Sequence, residues 1–513
     1  MKMLFRRLWC GLILSSALFG GYWGMILTPV NRWAMYFSRL DFRAVVALSA
    51  AMGVLLGLGA WAIERLFPRA KPLLVASFWG WLALVLANNY PDIHKTVAQR
   101  MDWTWLTGPV WWLAVWTAGG LGTGCALVFP PWRRLAAQGL RFTRFFLWPL
   151  LFAGPFLAWQ WPPLDAACGS GLDFARVPGN GRPATVVLLF DMLGYEGVFD
   201  ETGNIRPDYA NFAAFCERAD VYHEADSAGI ETATSIPGFI VQKRLAADGR
   251  KLRYTAADWV YTDGTNGVSA KDFAGESLPA LARAAGGRAQ SIGMYVPWDE
   301  LVPGLWNATE SMALGYGNHG VHVFGQPPSF RKAAVEHLAW YFFWVSKSPL
   351  AALFRVTGLA SRKEAQAGET HTSLVARGAR LLRESLSPGD FLLLHVDMPH
   401  DPYLIGRGGA PLPPSLHYDD VAGLAAQTGG ADWALGEWLD AIAASPAGRD
   451  AWIIVTSDHG VHKDRYRKGR KTHVPFLVHR PGQTERRDIA EPADLADLRS
   501  ILPALPPFAD GTP

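Results

Sequence analysis

The stretch "AWIIVTSDHG", residues 451–460, is an apolar run that stops at a carboxylate and an imidazole, Asp458 and His459. A short run that is apolar at nearly every position reads as a strand covered on both faces, as in a parallel sheet between helices. Aspartate and histidine are costly to desolvate without partners, so their place at the end of such a strand needs a chemical reason. Further segments share the pattern: "VVLLFD" ends on Asp191, "FLLLHVDMPHDP" leads to His400, and "KTHVPFLVH" has His473 ahead of its apolar run.

Apolar runs at residues 184–190, 290–296, 391–396, 452–456 and 474–478 alternate with helix-like segments such as "ESLPALARAAG" and "HTSLVARGARLLRESL". This alternation predicts an α/β sandwich over residues 184–513, a largely parallel sheet flanked by helices. Ligands of such sheets collect at the carboxyl ends of the strands. Neighbouring strands would bring Asp191, His400, Asp458, His459 and His473 to one edge. The mixed oxygen and nitrogen donors suit a divalent cation, Zn or Mn more than Ca. Taken singly, an aspartate after a strand is a turn or cap residue; the joint pattern carries the reading. "AGIETATSIPGFI", residues 228–240, adds hydroxyls where a loop enters a helix: Thr232, Thr234 and Ser235. For Thr234 and Ser235 an N-cap role is favoured. A nucleophile there needs a cation to stabilise its alkoxide, and spacing alone does not choose among the three.

The rest of the chain has a different composition. The protein has 513 residues, 50% of them hydrophobic and 18% charged, and the apolar excess lies before residue 164. Charge-free stretches at 8–31, 44–63, 72–91, 103–132 and 145–164 each reach the roughly 20 residues needed to cross a bilayer. They predict a transmembrane domain of five spans over residues 1–164. With the N-terminus inside, the inner loops hold ten Lys and Arg and the outer ones five, which favours that orientation and puts everything after residue 164 outside the cytoplasm. Lys2, Arg6 and Arg7 ahead of the first stretch also fit a signal peptide. Residues 165–183, rich in Pro and Gly, predict a linker, in which Cys168 is available to pair with Cys216. The aromatic segment 334–356 fits a helix at the membrane surface or a core helix equally. The formal charge of +3 gives no basis for a nucleic-acid partner. The charge-free spans likewise lack the ionisable residues that mark an ion pathway.

In order along the chain, "VVLLFDMLG", "ETATSIP", "HVDMPHDPY", "VTSDHG" and "THVPFLVHRPG" resemble the sulfatase-like branch of the alkaline phosphatase superfamily, over about residues 184–482. Five spans followed by an outer catalytic domain are similar to membrane phosphoethanolamine transferases and lipoteichoic acid synthases. The resemblance implies that Asp191, Thr232, Asp458 and His459 hold the catalytic metal, and that His400 and His473 contact the transferred phosphate or a second cation. It implies that Thr232 attacks and forms a phospho-threonine intermediate, taking its group from a lipid donor for an envelope glycan or lipid acceptor. It also implies a bacterial inner membrane, with the catalytic domain on the periplasmic side. Three departures stand out. Asp191 occupies a place where the transferases carry Glu, two outer cysteines cannot build their disulfides, and Phe239 in "SIPGF" stands where formylglycine sulfatases carry Arg. The expected function is transfer of a phosphoryl-linked head group of phosphoethanolamine or phosphoglycerol type. The alternatives are sulfatase- or phosphatase-type hydrolysis at the same site, and a non-catalytic membrane scaffold or sensor.

Overall fold

The computed structural model describes residues 2–18, 39–88, 108–146, 171–246, 250–254, 259–263, 265–294, 296, 298–312, 330–331, 334, 359–417, 421–461 and 470–505. The N-terminal part is helical: α1 (Lys2–Leu18), α2 (Arg39–Leu66), α3 (Lys71–Asn88), α4 (Gly108–Val128) and α5 (Pro130–Phe146). Glycines let α1 and α2 touch backbone to backbone. A Cβ on Gly11 would lie 2.2 Å from the Gly53 carbonyl oxygen, and one on Gly57 2.7 Å from Leu8 Cα, the small-residue contact by which helices associate in lipid.

Among the described residues one helix, Arg43–Leu66, is long and apolar enough to cross a membrane. It contains the expected second span. The expected third and fourth spans are the sites of α3 and α4, whose side chains are described only in part, and the first is described only as far as Leu18. The fifth, the segment 335–356 and Cys168 lie outside the described residues. The basic stretch read as an inner loop between spans is helix α5. Cys216 is a buried free thiol, and burial pushes its pKa up to about 12.

The α/β part is built on an eight-stranded sheet. Its strands are β1 (Thr185–Asp191), β2 (Asp220–Tyr222), β3 (Ala289–Met294), β4 (Ala308–Met312), β5 (Phe391–Pro399), β6 (Trp452–Ser457), β7 (Phe476–His479) and β8 (Arg487–Ile489). The spatial order is β8-β2-β7-β6-β1-β5-β3-β4. Strands β6, β1, β5, β3 and β4 run parallel, and β7 is antiparallel to both its neighbours. The expected parallel sheet is therefore present, with one strand reversed. The expected apolar runs all contribute strands, whereas β2, β4 and β8, short or polar, went unread. Odd and even positions of β1 serve different cores. Val186, Leu188 and Phe190 pack with Leu374 and Leu382 of α6 (Leu359–Ser385) and Trp438 of α7 (Ala422–Ala444). Val187 and Leu189 pack with Ile236 and Phe239 of the helix Thr232–Val241 on the opposite face.

Residues 171–183 form neither helix nor strand, yet they are fastened to the α/β part. Asp173 pairs with Arg288 at 3.2 Å, Val177 N–H donates to Ser387 Oγ at 3.2 Å, and Phe174 lies under the Arg380 guanidinium at 4.4 Å. This larger part of the expected linker, residues 171–183, is a strap.

Candidate active site

The three central strands, β6, β1 and β5, end side by side, which is why the polar residues that close their apolar runs meet. After Asp191 the chain turns sharply: Met192 sits at φ 62°, strained for a side chain of this size. That turn aims the Met192 N–H at Asp458 Oδ1, 3.1 Å away, and His459 N–H donates to the same oxygen at 2.7 Å. One oxygen of Asp458 is thus satisfied by backbone while the other, Oδ2, is buried without a hydrogen-bond partner. Asp191 Oδ1 is in the same state.

Two imidazoles join them with their tautomers fixed by carbonyl acceptors. His459 Nδ1–H donates to the Gly460 carbonyl at 2.8 Å, so Nε2 of the neutral ring carries a lone pair. That atom lies 3.4 Å from Asp191 Oδ1 and 3.6 Å from Asp458 Oδ2. His395, inside β5, donates from Nδ1 to the Met294 carbonyl at 3.0 Å, and its Nε2 is buried and unpartnered. Ligand atoms of Asp191, His395 and Asp458 lie within 4.8 Å of one another.

Thr232 opens the helix Thr232–Val241, directly after the N-cap residue Glu231. Its hydroxyl is 3.3 Å from His459 Nε2 and 3.5 Å from Asp191 Oδ2. Thr234 and Ser235 are not N-caps. Thr234 Oγ1 donates back to the Glu231 carbonyl at 2.9 Å, and Ser235 Oγ donates to the Asp458 carbonyl, tying the helix start to the end of β6. The close turn before the helix requires Gly229, where a Cβ would lie 2.4 Å from Thr234 Oγ1.

Asp191 Oδ1, Asp458 Oδ2 and His395 Nε2 are thus three buried atoms of one centre without a hydrogen-bond partner. Burial, followed by the Asp458 charge, raises the pKa of Asp191; burial likewise raises those of Asp458 and Asp397. The Asp397 Oδ1 is likewise buried without a hydrogen-bond partner. Burial lowers His395 and pushes His459 down to about 3, so neither ring is a cation at neutral pH. A divalent cation fits this donor set: it would satisfy the orphaned atoms of Asp191, Asp458 and His395 together, with both imidazoles already oriented by second partners.

Of the residues singled out in the sequence, Asp191, Thr232, Asp458 and His459 come together here. His400 lies beyond the end of β5, on the rim, with Nδ1 bonded to the Asp401 carbonyl at 2.6 Å and 3.8 Å from Asp397 Oδ1. His473 is set apart. Its Nδ1 is 3.2 Å from Glu196 Oε1, its Nε2 is 2.9 Å from the His223 carbonyl, and its ring stacks on Tyr195 at 4.4 Å. Burial opposes its charge, but Glu196 and the His223 carbonyl raise its pKa overall. Both nitrogens of His473 are engaged in this arrangement, one with Glu196 and one with the His223 carbonyl. His395 and Asp397 were missed. Their signal was polar residues at alternate positions of a run otherwise apolar enough to be fully buried, "FLLLHVDMP".

No family model matches the chain, and no curated protein matches it. Solved structures similar to it include a protein of the alkaline phosphatase superfamily from Vibrio parahaemolyticus, at 15% identity, 66% of this chain and 70% of that one, with a TM-score of 0.40. The phosphonate monoester hydrolase of Agrobacterium radiobacter matches at 13% identity over 63% and 73%, with a TM-score of 0.40. The lipoteichoic acid synthase LtaP from Listeria monocytogenes matches at 13% identity over 68% and 78%, with a TM-score of 0.39. The superfamily whose motifs the sequence resembles is represented among them.

Proposed function

We propose that the protein is a membrane-anchored, metal-dependent transferase that moves a phosphoryl-linked head group, of phosphoethanolamine or phosphoglycerol type, from a lipid donor to an envelope glycan or lipid. The observation that carries this reading is the buried set of Asp191, Asp458 and His395, with unpartnered ligand atoms, against the hydroxyl of Thr232. Asp191, Asp458 and His395 would hold the cation, with His459 bordering it. A bound divalent ion supplies positive charge that stabilises an alkoxide and the oxygens of a phosphoryl group.

The residues of the chain do the rest. Thr232 Oγ1 attacks phosphorus; its bond to phosphorus forms as the bond to the donor's alcohol oxygen breaks. The hydroxyl proton has two acceptors in reach, His459 Nε2 and Asp191 Oδ2. The helix N-terminus behind Thr232 favours negative charge on the attacking oxygen and the phosphoryl group. His400, half-exposed on the rim, is placed to hand a proton to the leaving alcohol. In the second half the acceptor's hydroxyl oxygen replaces Thr232 on phosphorus, and the threonine regains its proton. The same centre serves a hydrolase if water is the acceptor.

The test uses the purified full chain with a phospholipid labelled in its head group. Mass spectrometry should find the labelled group on Thr232, and Thr232→Ala should lose both label and turnover by about 1,000-fold or more, the scale of removing a nucleophile. Undiminished turnover in Thr232→Ala would remove the proposal, and release of the group without any acceptor would convert it to hydrolysis.

A further inference from the structure

We infer that helix α5 lies flat on a membrane surface and binds the phosphate groups of anionic lipids through Arg134 and Arg141. This rests on the membrane anchoring proposed above and is independent of the catalytic centre.

The helix carries Arg133, Arg134, Arg141 and Arg144 and no acidic residue over Pro130–Phe146. It starts two positions after α4 ends and is clamped there. The Arg133 guanidinium donates to the Ala126 and Leu127 carbonyls at 3.0 and 2.6 Å, capping the last turn of α4. Its inner side is committed to the helices beside it: Ala136 is fully buried, Gly139 meets the Phe78 ring, and Trp132 stands edge-on to Trp79 at 5.9 Å.

The outer side holds two rows. Leu135 and Phe142, 49% and 62% exposed, are seven residues apart and so lie on one stripe of the helix. Arg134 and Arg141, both exposed, form a second row immediately beside it with the same spacing. Water accounts for the arginines but not for the leucine and phenylalanine. A bilayer core accounts for the apolar row, but each arginine there is costly. The boundary between head groups and acyl chains satisfies both rows at once. The guanidinium fork matches phosphate oxygens in geometry, and a patch with no carboxylate favours anionic over zwitterionic head groups.

The experiment takes the full chain in neutral detergent and titrates it with dioleoyl phosphatidylglycerol or dioleoyl phosphatidylcholine, reading bound lipid by native mass spectrometry. Wild type should bind phosphatidylglycerol about tenfold or more tightly than phosphatidylcholine, because each basic residue near an anionic surface contributes roughly fivefold. R134Q/R141Q should remove the preference, R134K/R141K should keep most of it, and the control pair R65Q/R69Q should leave it unchanged. Equal binding of the two lipids by wild type would overturn the inference. So would a preference that survives in R134Q/R141Q, or bound lipid displaced by millimolar inorganic phosphate. Washing native membranes with alkaline carbonate separates the two readings. Release of the chain defeats the membrane anchoring itself, whereas a retained chain that binds both lipids alike defeats only the assignment of α5.

Discussion

Buried acceptors without a hydrogen-bond partner, Asp191 Oδ1, Asp458 Oδ2 and His395 Nε2, are what give the site its chemistry. Asp191 Oδ1 and Asp458 Oδ2 lie 3.4 and 3.6 Å from His459 Nε2, and two buried carboxylate oxygens without a partner are costly unless a positive charge lies beside them. Protonating His459 would relieve this, but burial holds its pKa near 3. The same reasoning supports the proposal of His395 as a ligand: its Nδ1–H is spent on the Met294 carbonyl, and its Nε2 is buried without a hydrogen-bond partner. His395→Ala should therefore weaken binding of Zn or Mn, measured by isothermal titration calorimetry on the full chain, by about 100-fold or more. That exceeds what is typical of residues that merely support a ligand. Unchanged affinity in this variant would mark His395 as structural.

The elements act by placing strand ends. In β6, β1 and β5 the end of the apolar run marks the end of the strand, so Asp191, Asp458, His459 and His400 were legible from the sequence. A polar residue closing such a strand is conspicuous. His395 and Asp397 were harder because they sit inside β5, where a polar residue reads as an interruption. Helix α5 was read as a loop because its arginines break the apolar pattern of the spans, and the strap at 171–183 has linker composition although its bonds are to the α/β part. Long-range hydrogen bonds are not visible in composition. Gln427 of α7 illustrates this: its side-chain oxygen accepts from the Leu404 and Ile405 N–H groups, the second at 3.1 Å, and its amide donates to the His400 carbonyl at 2.6 Å. Gln427→Leu would leave these buried groups unpaired, at about 1–3 kcal/mol each. The expected outcome is faster hydrogen exchange at Leu404 and Ile405 and a lower denaturation midpoint. Gln427→Glu, which keeps the acceptor, should restore much of the protection; equal protection in all three proteins would show that the clamp contributes nothing.

For the whole molecule, three buried carboxylates with raised pKa values couple stability to pH and to cation binding. Their ordinary value is 3.8. Because the folded values lie above it, the metal-free protein has its full stability from these groups below about that pH and loses it as pH rises through the folded values. A bound cation reverses the trend by favouring the ionised carboxylates. Chelation should therefore lower the Tm of the detergent-solubilised chain, by roughly 2–4 °C relative to protein with ion at about 100 times Kd. The difference should be larger at pH 8 than at pH 6. A difference that shrinks as pH rises would contradict the coupling.

The claim underneath all of this is that Asp191, His395 and Asp458 hold a divalent ion next to Thr232. The most direct measurement is the metal content of the purified full chain, by inductively coupled plasma mass spectrometry, beside that of Asp458→Asn, with circular dichroism to show that both are folded. The account predicts about one equivalent or more of Zn or Mn per wild-type chain and its loss in the variant. A folded wild-type protein without a stoichiometric cation, or a variant that retains the full complement, would contradict it.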